Sequence, residues 1–570
     1  MLHASALFFN RLQRPIRCPG PALGLRRLGR CATALLVLPS LAHAAESGEY
    51  VSKGFGALDW LVIAAYALRL IGIGLYYARR QTSTEEYFVA SRSVAPFLAG
   101  ISLYATMFST LSYIGFPGEM IRHGPVLLSL SLVSLPLIYL VVGYGIIPLM
   151  VRLPVTSAYE LLEKRLGPHV RLLGSGIFVL TRLVWMAVLL HATSFVIVTV
   201  MGWNPAWAMP LTVCTGLLTT LYTVTGGLRA VVVSDVVQFF VLLLGALGTL
   251  VWLTIAMGGV DGWWPTGWAP HWEPQPFFST DPHVRVTVVG TFIGSIIWWT
   301  ATSTSDQMAI QRYLSTRDAR AARRAFLHNC IGSVVVTSIL ALVGLAVLGY
   351  YTRHPEWLPD HLSLKHQADG LFPHYVSRHL PAGIPGLVLA GLLAAAMSSL
   401  SSGISSTITV VSKDFLDRFR RGLPATDAQR LRTARVLAAG IGLLAIAGSQ
   451  VAGWLPGNLI EVANKSINLF LCPLFGLFFL ALFVPFATPF GALAGAAYSI
   501  TAATLVGYWD VFTGGPAISF QWIAPVALVT SLTSSCLFSL LPTRGRSRTT
   551  LAGYGLAVAL PWLVFFLLWR

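Results

Sequence analysis

A dense group of serines lies in an apolar segment of the second half of the chain. Six serines fall between residues 398 and 406: Ser398, Ser399, Ser401, Ser402, Ser405 and Ser406. Within a membrane helix a hydroxyl can bond back to a carbonyl of its own helix, or it can allow a neighbouring helix to pack closely. Those roles explain one or two serines better than six. Hydroxyl and carbonyl oxygens are hard ligands, so we interpret the segment as a binding site for a cation such as Na⁺.

A second segment, residues 95–118, combines polar side chains with residues that interrupt helices. It begins with Pro96 and ends in the run Gly115-Phe-Pro-Gly118. Glycine and proline free backbone carbonyls, and within a membrane these are tolerated where they line a cavity. Broken helices of this kind are typical of transport sites near the middle of the bilayer. The segment therefore predicts a broken transmembrane helix beside a transport pathway.

Two ionisable residues fall within apolar surroundings and have two interpretations each. Asp235 is either functional, because a carboxylate in the membrane is costly, or a cap or ion-pair partner for Arg229. Arg182 lies too deep in an apolar stretch to reach water easily. It either binds a substrate carboxylate through two parallel hydrogen bonds or belongs to a structural ion pair.

The composition of the chain defines the class of protein that carries these residues. Of 570 residues, 55% are hydrophobic and 11% are charged, whereas soluble domains are about 25% charged. A soluble enzyme is therefore excluded. The six cysteines are too few for a disulfide scaffold, and the net charge of +17 fits basic loops on one side of a bilayer better than nucleic acid.

The N-terminal region has the order of a signal peptide. Residues 1–30 carry six arginines and no acidic residue, a short apolar run follows, and Ala42-His-Ala44 is a small-x-small cleavage pattern. We expect residues 1–44 to be a signal peptide and residues 45–56 to be an outside segment. The alternative is an uncleaved first helix, although the apolar run is too short to span comfortably.

Fourteen apolar stretches between residues 57 and 569 are long enough to cross a bilayer. The last three, at 489–508, 521–541 and 550–569, predict accessory helices in the region 485–570. Most basic residues then fall in the inside loops, as the positive-inside rule requires. We expect an all-α polytopic protein of the inner cell membrane, with both termini outside. The bilayer and a small-molecule solute are the expected partners, with no nucleic acid and no obligatory protein partner.

Four segments of the chain resemble those of a known family, the sodium:solute symporters. They occur in the family's order between about residues 57 and 480: Tyr76–Ser93, Gly226–Gln238, Asp306–Arg312, and Gly386–Ser402 followed by Asp414. The resemblance implies a leucine-transporter-like fold, in which two inverted repeats of five helices form the core. The core helices would occupy about residues 95–484, with spans 2–6 and 7–11 as the repeats.

The resemblance also implies two sodium sites between these segments. The family's first site would comprise the carbonyls of three residues and the hydroxyls of two serines: Ala105, Phe108, Ala395, Ser398 and Ser399. The second sodium site of some members would use Asp235 with three serines: Ser398, Ser401 and Ser402. The asparagine that many members carry after the serine cluster is replaced here by Ser405.

The resemblance places the solute pocket beside the first site. Its lining would be Thr106, Ser109, Ser112, Trp299, Thr302 and Ser303. The aromatic and amide residues of sugar-binding members are missing from residues 298–305, which argues against a sugar. Arg182 matches the position where acid-transporting members use an arginine, so we expect a small organic anion.

The sequence thus predicts a Na⁺-coupled symporter that works by alternating access, rather than an enzyme. The ionisable residues within the spans form no paired base and nucleophile. Two alternatives remain open at this stage: coupling to H⁺ instead of Na⁺, and a membrane sensor that keeps the transporter fold.

Overall fold

The computed structural model describes residues 55–81, 83–152, 155–419, 426–452, 459–542, 549, 550 and 553, with the backbone alone at 459–466. The predicted signal peptide, most of segment 45–56 and almost all of the last predicted span lie outside these ranges. Every other predicted span overlaps a helix, and the described ranges contain no β-strand. The helices are α1 Ala57–Ala78, α2 Thr84–Val89, α3 Pro96–Met107, α4 Thr110–His123, α5 Val126–Val151, α6 Glu160–Leu166, α7 Pro168–Met201, α8 Ala208–Ala256, α9 Val288–Ser305, α10 Gln307–Leu314, α11 Ala319–Arg353, α12 Leu371–His379, α13 Ile384–Val410, α14 Asp427–Ala452, α15 Leu459–Phe483, α16 Pro489–Gly507, α17 Trp509–Thr513 and α18 Ile523–Ser539.

Among the described residues, nine helices are long and apolar enough to cross a membrane, or ten if a bent pair that includes α3 is one span. This number is smaller than the predicted fourteen for identifiable reasons. The second predicted span is broken into α3 and α4, the seventh is the short α9, which ends at the break before α10, and the fifth and sixth are continuous in α8. Of the helix in the eleventh span only residues 467–483 are described with their side chains, and almost all of the fourteenth span lies outside the described residues. The exact count of fourteen stays a prediction.

The two broken spans have the same backbone geometry. Between α3 and α4, Phe108 is extended with φ −93° and ψ 123°. Between α9 and α10, Asp306 is extended with φ −82° and ψ 121°. The first break follows a helix of 12 residues, and the second comes after 18 residues and before a helix of only 8. Breaks of one kind, five predicted spans apart, agree with the repeats that the resemblance implies.

Helix α8 is a hairpin bent at one glycine. Its 49 residues would be about 74 Å long if straight, far more than the roughly 30 Å of a bilayer core. The bend lies at Gly227, which has a left-handed φ of +59°. A Cβ atom there would approach the ring of Tyr87 to 2.9 Å. Because the chain folds back, the Gln238 amide donates to the Tyr222 hydroxyl at 3.5 Å, 16 residues away in sequence.

Helix α13 lies at the centre of the bundle, and nearly all of its residues are buried. Its beginning is held by the buried carboxylate of Asp59 in α1. Oδ1 of Asp59 accepts hydrogen bonds from the backbone N–H groups of Gly383 (2.8 Å) and Gly386 (2.7 Å). Negative charge at a helix N-terminus is favourable, so this contact fixes α13 relative to α1.

Candidate transport site

The break after α3 exposes backbone carbonyls towards α13. Helix α3 ends at Met107, Phe108 is extended, and Ser109 begins α4 by accepting a hydrogen bond from the N–H of Ser112. The carbonyl oxygens before the break therefore lack the partners that a continuous helix would provide. Side chains of another helix can reach them.

Two serines of α13 make that contact. Ser398 Oγ donates to the carbonyls of Ala105 (2.7 Å) and Ala395 (3.1 Å). Ser399 Oγ lies 3.0 Å from the carbonyl oxygen of Thr106 and 3.2 Å from that of Phe108. The five residues predicted for the first sodium site are thus brought into one group of neutral oxygens, all from buried residues. Such a group has the ligand chemistry of a hard cation.

Asp235 lies in a second buried group next to the first. Its Oδ2 atom accepts a hydrogen bond from Ser102 Oγ at 2.6 Å and lies 3.4 Å from Ser402 Oγ. The Arg312 guanidinium is 3.2 Å from the same oxygen, and both side chains of this ion pair have no exposed surface. The other oxygen, Oδ1, has no hydrogen-bond partner in the described part of the chain. The fourth predicted residue, Ser401, donates to the carbonyl of Ser398 in its own helix at 3.1 Å.

The structure corrects two interpretations of basic residues. Arg229 is not the partner of Asp235, because it forms an ion pair with Glu86 at 3.0 Å. Arg312 follows the seventh predicted span, so the positive-inside interpretation counts it as a basic residue of an inside loop, but it is completely buried in α10. A buried charge is retained where a partner compensates it, and Asp235 is that partner.

Thr106 joins the two groups of oxygens. Its carbonyl accepts from Ser399, and its hydroxyl is 2.9 Å from Ser402 Oγ and 3.4 Å from Asp235 Oδ2. The side chain that had been predicted to line the solute pocket is therefore 1% exposed and bonded within the Asp235 group.

Arg182 has a carboxylate partner inside the protein. Its guanidinium forms a short ion pair with Asp306, the extended residue between α9 and α10. It also lies 5.5 Å from the ring centre of Phe178. Asp306 in turn caps α10 by accepting from the N–H of Met308 at 2.8 Å. The structural ion pair, one of the two interpretations of Arg182, is therefore present.

A cavity of about 830 Å³ opens beside the break. Of the predicted pocket residues, Ser112 and Trp299 line it, while Ser109, Thr302 and Ser303 are buried outside its lining. Several polar lining residues are not predicted from the sequence, among them Arg285, Asn468 and Gln521. Asn468 has a visible signal, because it is an amide within an apolar stretch.

The polar groups of this cavity are held by specific partners. The Trp298 indole N–H donates to Oδ1 of Asn468 at 3.1 Å, which leaves the amide N–H groups of Asn468 as donors. Arg285 makes two parallel hydrogen bonds to Glu119, at 3.0 and 2.8 Å. Most other lining residues are apolar, as is usual for pockets that bind small organic molecules.

Comparisons with known proteins agree with this geometry. The family model described as the sodium:solute symporter family matches residues 87–498. The chain is 29% identical over 463 residues to the sodium/sialic acid symporter NanT of Aliivibrio fischeri, covering 80% of this chain and 88% of that protein. It is also 29% identical over 513 residues to the sodium-dependent multivitamin transporter of Oryctolagus cuniculus, covering 89% and 79%.

A solved structure shows the fold. The substrate-bound, outward-open state of a Na⁺-coupled sialic acid symporter superposes with a TM-score of 0.72 at 24% identity, covering 86% of this chain and 98% of that one. The two broken spans and this likeness define a helical, multi-span membrane protein with the leucine-transporter-like fold. The chain belongs to the sodium:solute symporter family. Its activity is Na⁺-coupled symport of a small-molecule solute, not enzymatic catalysis.

Proposed function

We propose that one Na⁺ binds in the neutral group formed by the break after α3 and by α13. The ligands are the carbonyls of Ala105, Phe108 and Ala395 and the hydroxyls of Ser398 and Ser399. The observation that supports this assignment is that two adjacent serines of α13 reach these carbonyls: Ser398 Oγ lies 2.7 Å from the oxygen of Ala105 and 3.1 Å from that of Ala395, and Ser399 Oγ lies 3.2 Å from that of Phe108. Na⁺ here would tie the broken span to α13 and so couple cation binding to the shape of the adjoining cavity.

A second Na⁺ is proposed at the free oxygen of Asp235, with Ser398, Ser401 and Ser402 as further ligands. This proposal is supported by the unpartnered Oδ1 atom, a buried anionic oxygen that a cation would satisfy. The Arg312 guanidinium at the other oxygen, Oδ2, argues against a second Na⁺, because its fixed positive charge repels the cation.

We propose alternating access as the mechanism, in an inner-membrane protein with both termini outside. At the end of the bundle predicted to face inside, the Arg171 guanidinium binds Asp414 at 2.5 Å and Glu163 at 2.6 Å. The cavity instead reaches loop residues at the opposite end, among them Arg285. Na⁺ shifts the balance between conformations only to the extent that it binds them unequally.

The proposed solute is a small organic anion bound in the cavity, with Ser112 and Trp299 in its lining. Sialic acid, the substrate in the name of one relative, is such an acid. Arg285 brings positive charge to the cavity, whereas Arg182, the carboxylate ligand predicted from the sequence, is not among the lining residues. A neutral organic solute is the second candidate, because both arginines already have carboxylate partners.

Uptake into proteoliposomes tests the coupling. We expect accumulation of a transported solute to require an inward Na⁺ gradient, and a pH jump without Na⁺ to give none. Uptake driven equally by H⁺ would contradict Na⁺ coupling.

Thermal shifts with paired probes test the solute class. Sialic acid and lactate are each compared with an uncharged derivative, sialic acid methyl ester and lactamide, in Na⁺ and in K⁺. Because a ligand stabilises the state that it binds, an anion carrier should respond to the acids and only in Na⁺. A response to the uncharged member of a pair supports the neutral solute. In the matched variant Arg182→Met/Asp306→Asn, which leaves no unpaired charge, the acid response should be lost if Arg182 binds the carboxylate.

A further inference from the structure

Four arginines surround a separate cavity of about 500 Å³, whose basic lining differs in chemistry from the neutral oxygens of the transport site. Its lining combines the chain before α3 with the beginning of α11: Arg92, Ser93, Val94, Ala95, Pro96, Arg317, Arg320, Ala321 and Arg324. We call this cavity the arginine pocket. The positive-inside bias assigns this end of the bundle to the inner face of the membrane.

The charge of the arginine pocket is largely uncompensated. Arg92 donates to the carbonyl of Val155 at 2.9 Å, which is a neutral partner. Arg317 pairs with Asp318, but both side chains are exposed, so the pair is weak. Arg320 and Arg324 have no acidic partner among the residues that the structure describes. Arg323, between them on another face of α11, stacks instead on Tyr144 at 4.2 Å.

The backbone that presents Arg92 is unusual. Ala90, Ser91 and Arg92 all have left-handed φ angles of about 50°, although none is glycine. Such conformations persist only where the surroundings fix them, and they are frequent at functional sites. Here the next residues are fixed to the chain before α11 by the hydrogen bond from the N–H of Val94 to the carbonyl of Ser315, at 3.0 Å.

An exposed apolar surface continues from the arginine pocket along α11. Leu327, Ile331, Val334 and Val335 are 38–51% exposed. They follow Arg320 and Arg324 at helical spacing and therefore share one face of the helix. From Arg324 to Val335 the helix rises about 16 Å, which is roughly the thickness of one leaflet of the hydrocarbon core.

We propose that the arginine pocket binds the phosphate of an anionic phospholipid of the inner leaflet, whose acyl chain lies along the apolar face of α11. The arginines match a phosphate in charge and geometry. The adjoining apolar stripe distinguishes a lipid from a free phosphate ion, which would have no use for it.

The position of the arginine pocket gives the lipid a mechanical role. Helix α3 begins directly after it, at Pro96, and packs tightly on α11: a Cβ atom on Gly100 would lie 2.2 Å from the carbonyl oxygen of Ala325. A phosphate that contacts Arg92 and the α11 arginines bridges these two elements. It thereby stabilises the inner half of the broken span that carries the sodium ligands.

Lipid binding to the full-length protein in detergent tests the proposal. Native mass spectrometry and thermal unfolding are measured with added phosphatidylglycerol, phosphatidylcholine or inorganic phosphate. The pocket variant is Arg320→Ala/Arg324→Ala. The control is Arg430→Ala/Arg432→Ala, which removes the same charge from two exposed arginines at the same predicted face.

We expect phosphatidylglycerol to bind and stabilise the wild type, and phosphatidylcholine to do neither. Affinity should fall roughly 30-fold in the pocket variant, since each arginine near an anionic headgroup contributes about fivefold, and stay unchanged in the control. Ile331→Ser should weaken the binding of phosphatidylglycerol and leave any binding of inorganic phosphate unchanged. If the pocket variant does not fold, Arg324→Gln takes its place, with an expected loss of about fivefold.

Three results would overturn the proposal. The first is equal loss of phosphatidylglycerol in the pocket variant and in the control. The second is equal binding of the two lipids. The third is full stabilisation of the wild type by inorganic phosphate alone, which would make the arginine pocket a site for a soluble anion.

Discussion

The two candidate cation sites share helices α3 and α13 but differ in charge. The first consists of carbonyl and hydroxyl oxygens, and the contacts that Ser398 and Ser399 make within it join neutral groups. The second is built on the carboxylate of Asp235, and one of its oxygens already contacts the Arg312 guanidinium. A neutral site leaves no isolated charge when its cation departs. A charged site must keep a countercharge at every stage, because a bare charge in this environment is costly.

The largest effect is expected from Asp235→Asn. The change leaves the buried Arg312 guanidinium with neutral partners only, such as Ser102, and without a carboxylate. This should lower the free energy of unfolding by about 3–5 kcal/mol. Denaturation of the purified protein in detergent measures this loss. The double variant Asp235→Asn/Arg312→Gln should recover most of it, because no charge then remains. If the double variant is as unstable as the single one, the ion pair is not what stabilises this region.

A smaller but still large effect is expected for Ser398→Ala/Ser399→Ala. Loss of two neutral ligands should raise the Na⁺ concentration for half-maximal uptake on the order of 100-fold. Loss of their hydrogen bonds to buried carbonyls should lower the free energy of unfolding by about 1–3 kcal/mol, less than Asp235→Asn does. The matched control is Ser406→Ala, a buried serine of α13 that bonds only the carbonyl of Gly403 in its own helix. An equal shift in this control would refute the assignment of the first site.

Thr106→Val examines the link between the two sites. The shape of the side chain is retained and the hydroxyl contacts to Ser402 and Asp235 are removed. We expect the Na⁺ requirement of uptake to rise about fivefold, from loss of about 1 kcal/mol. A double-mutant cycle with Ser399→Ala measures the coupling energy directly. Strict additivity would show that the two sites act independently.

The smallest structural effect is expected for Ser401→Ala. Its hydroxyl donates to the carbonyl of Ser398 in its own helix, so the free energy of unfolding should change by about 1 kcal/mol or less. If Ser401 is a ligand of a second Na⁺, the Hill coefficient for Na⁺-dependent uptake should fall towards one. An unchanged coefficient above one would place the second cation elsewhere.

The parts of the site that could be predicted are those carried by local sequence. A few neighbouring positions are enough to recognise the serine cluster and the proline and glycine residues of segment 95–118. The structure brings the residues of these two segments together. The partners of the charged residues could not be predicted in this way. Arg312 is 77 residues from Asp235, and Asp306 is 124 from Arg182. From the sequence, Arg312 resembles a loop residue because it follows an apolar stretch. Only the break before α10 shows that it lies in a buried helix.

The same reasoning explains the helix count. A hydropathy profile detects long apolar runs. It therefore locates the spans, but it does not show which of them join into one helix. Whether residues 207–256 form two helices with a loop or one hairpin depends on the φ angle of a single residue, and that choice is made by packing against Tyr87.

The single-residue bend at Gly227 has a consequence for biosynthesis. Neither arm of α8 can remain in water while the other enters the bilayer, because no linker separates them, and lipid-exposed irregular backbone is not tolerated there. We therefore expect the two arms to enter the bilayer together as one hairpin. The arm that carries Asp235 is then already folded back, through the contact of Gln238 with Tyr222, before Arg312 has been synthesised.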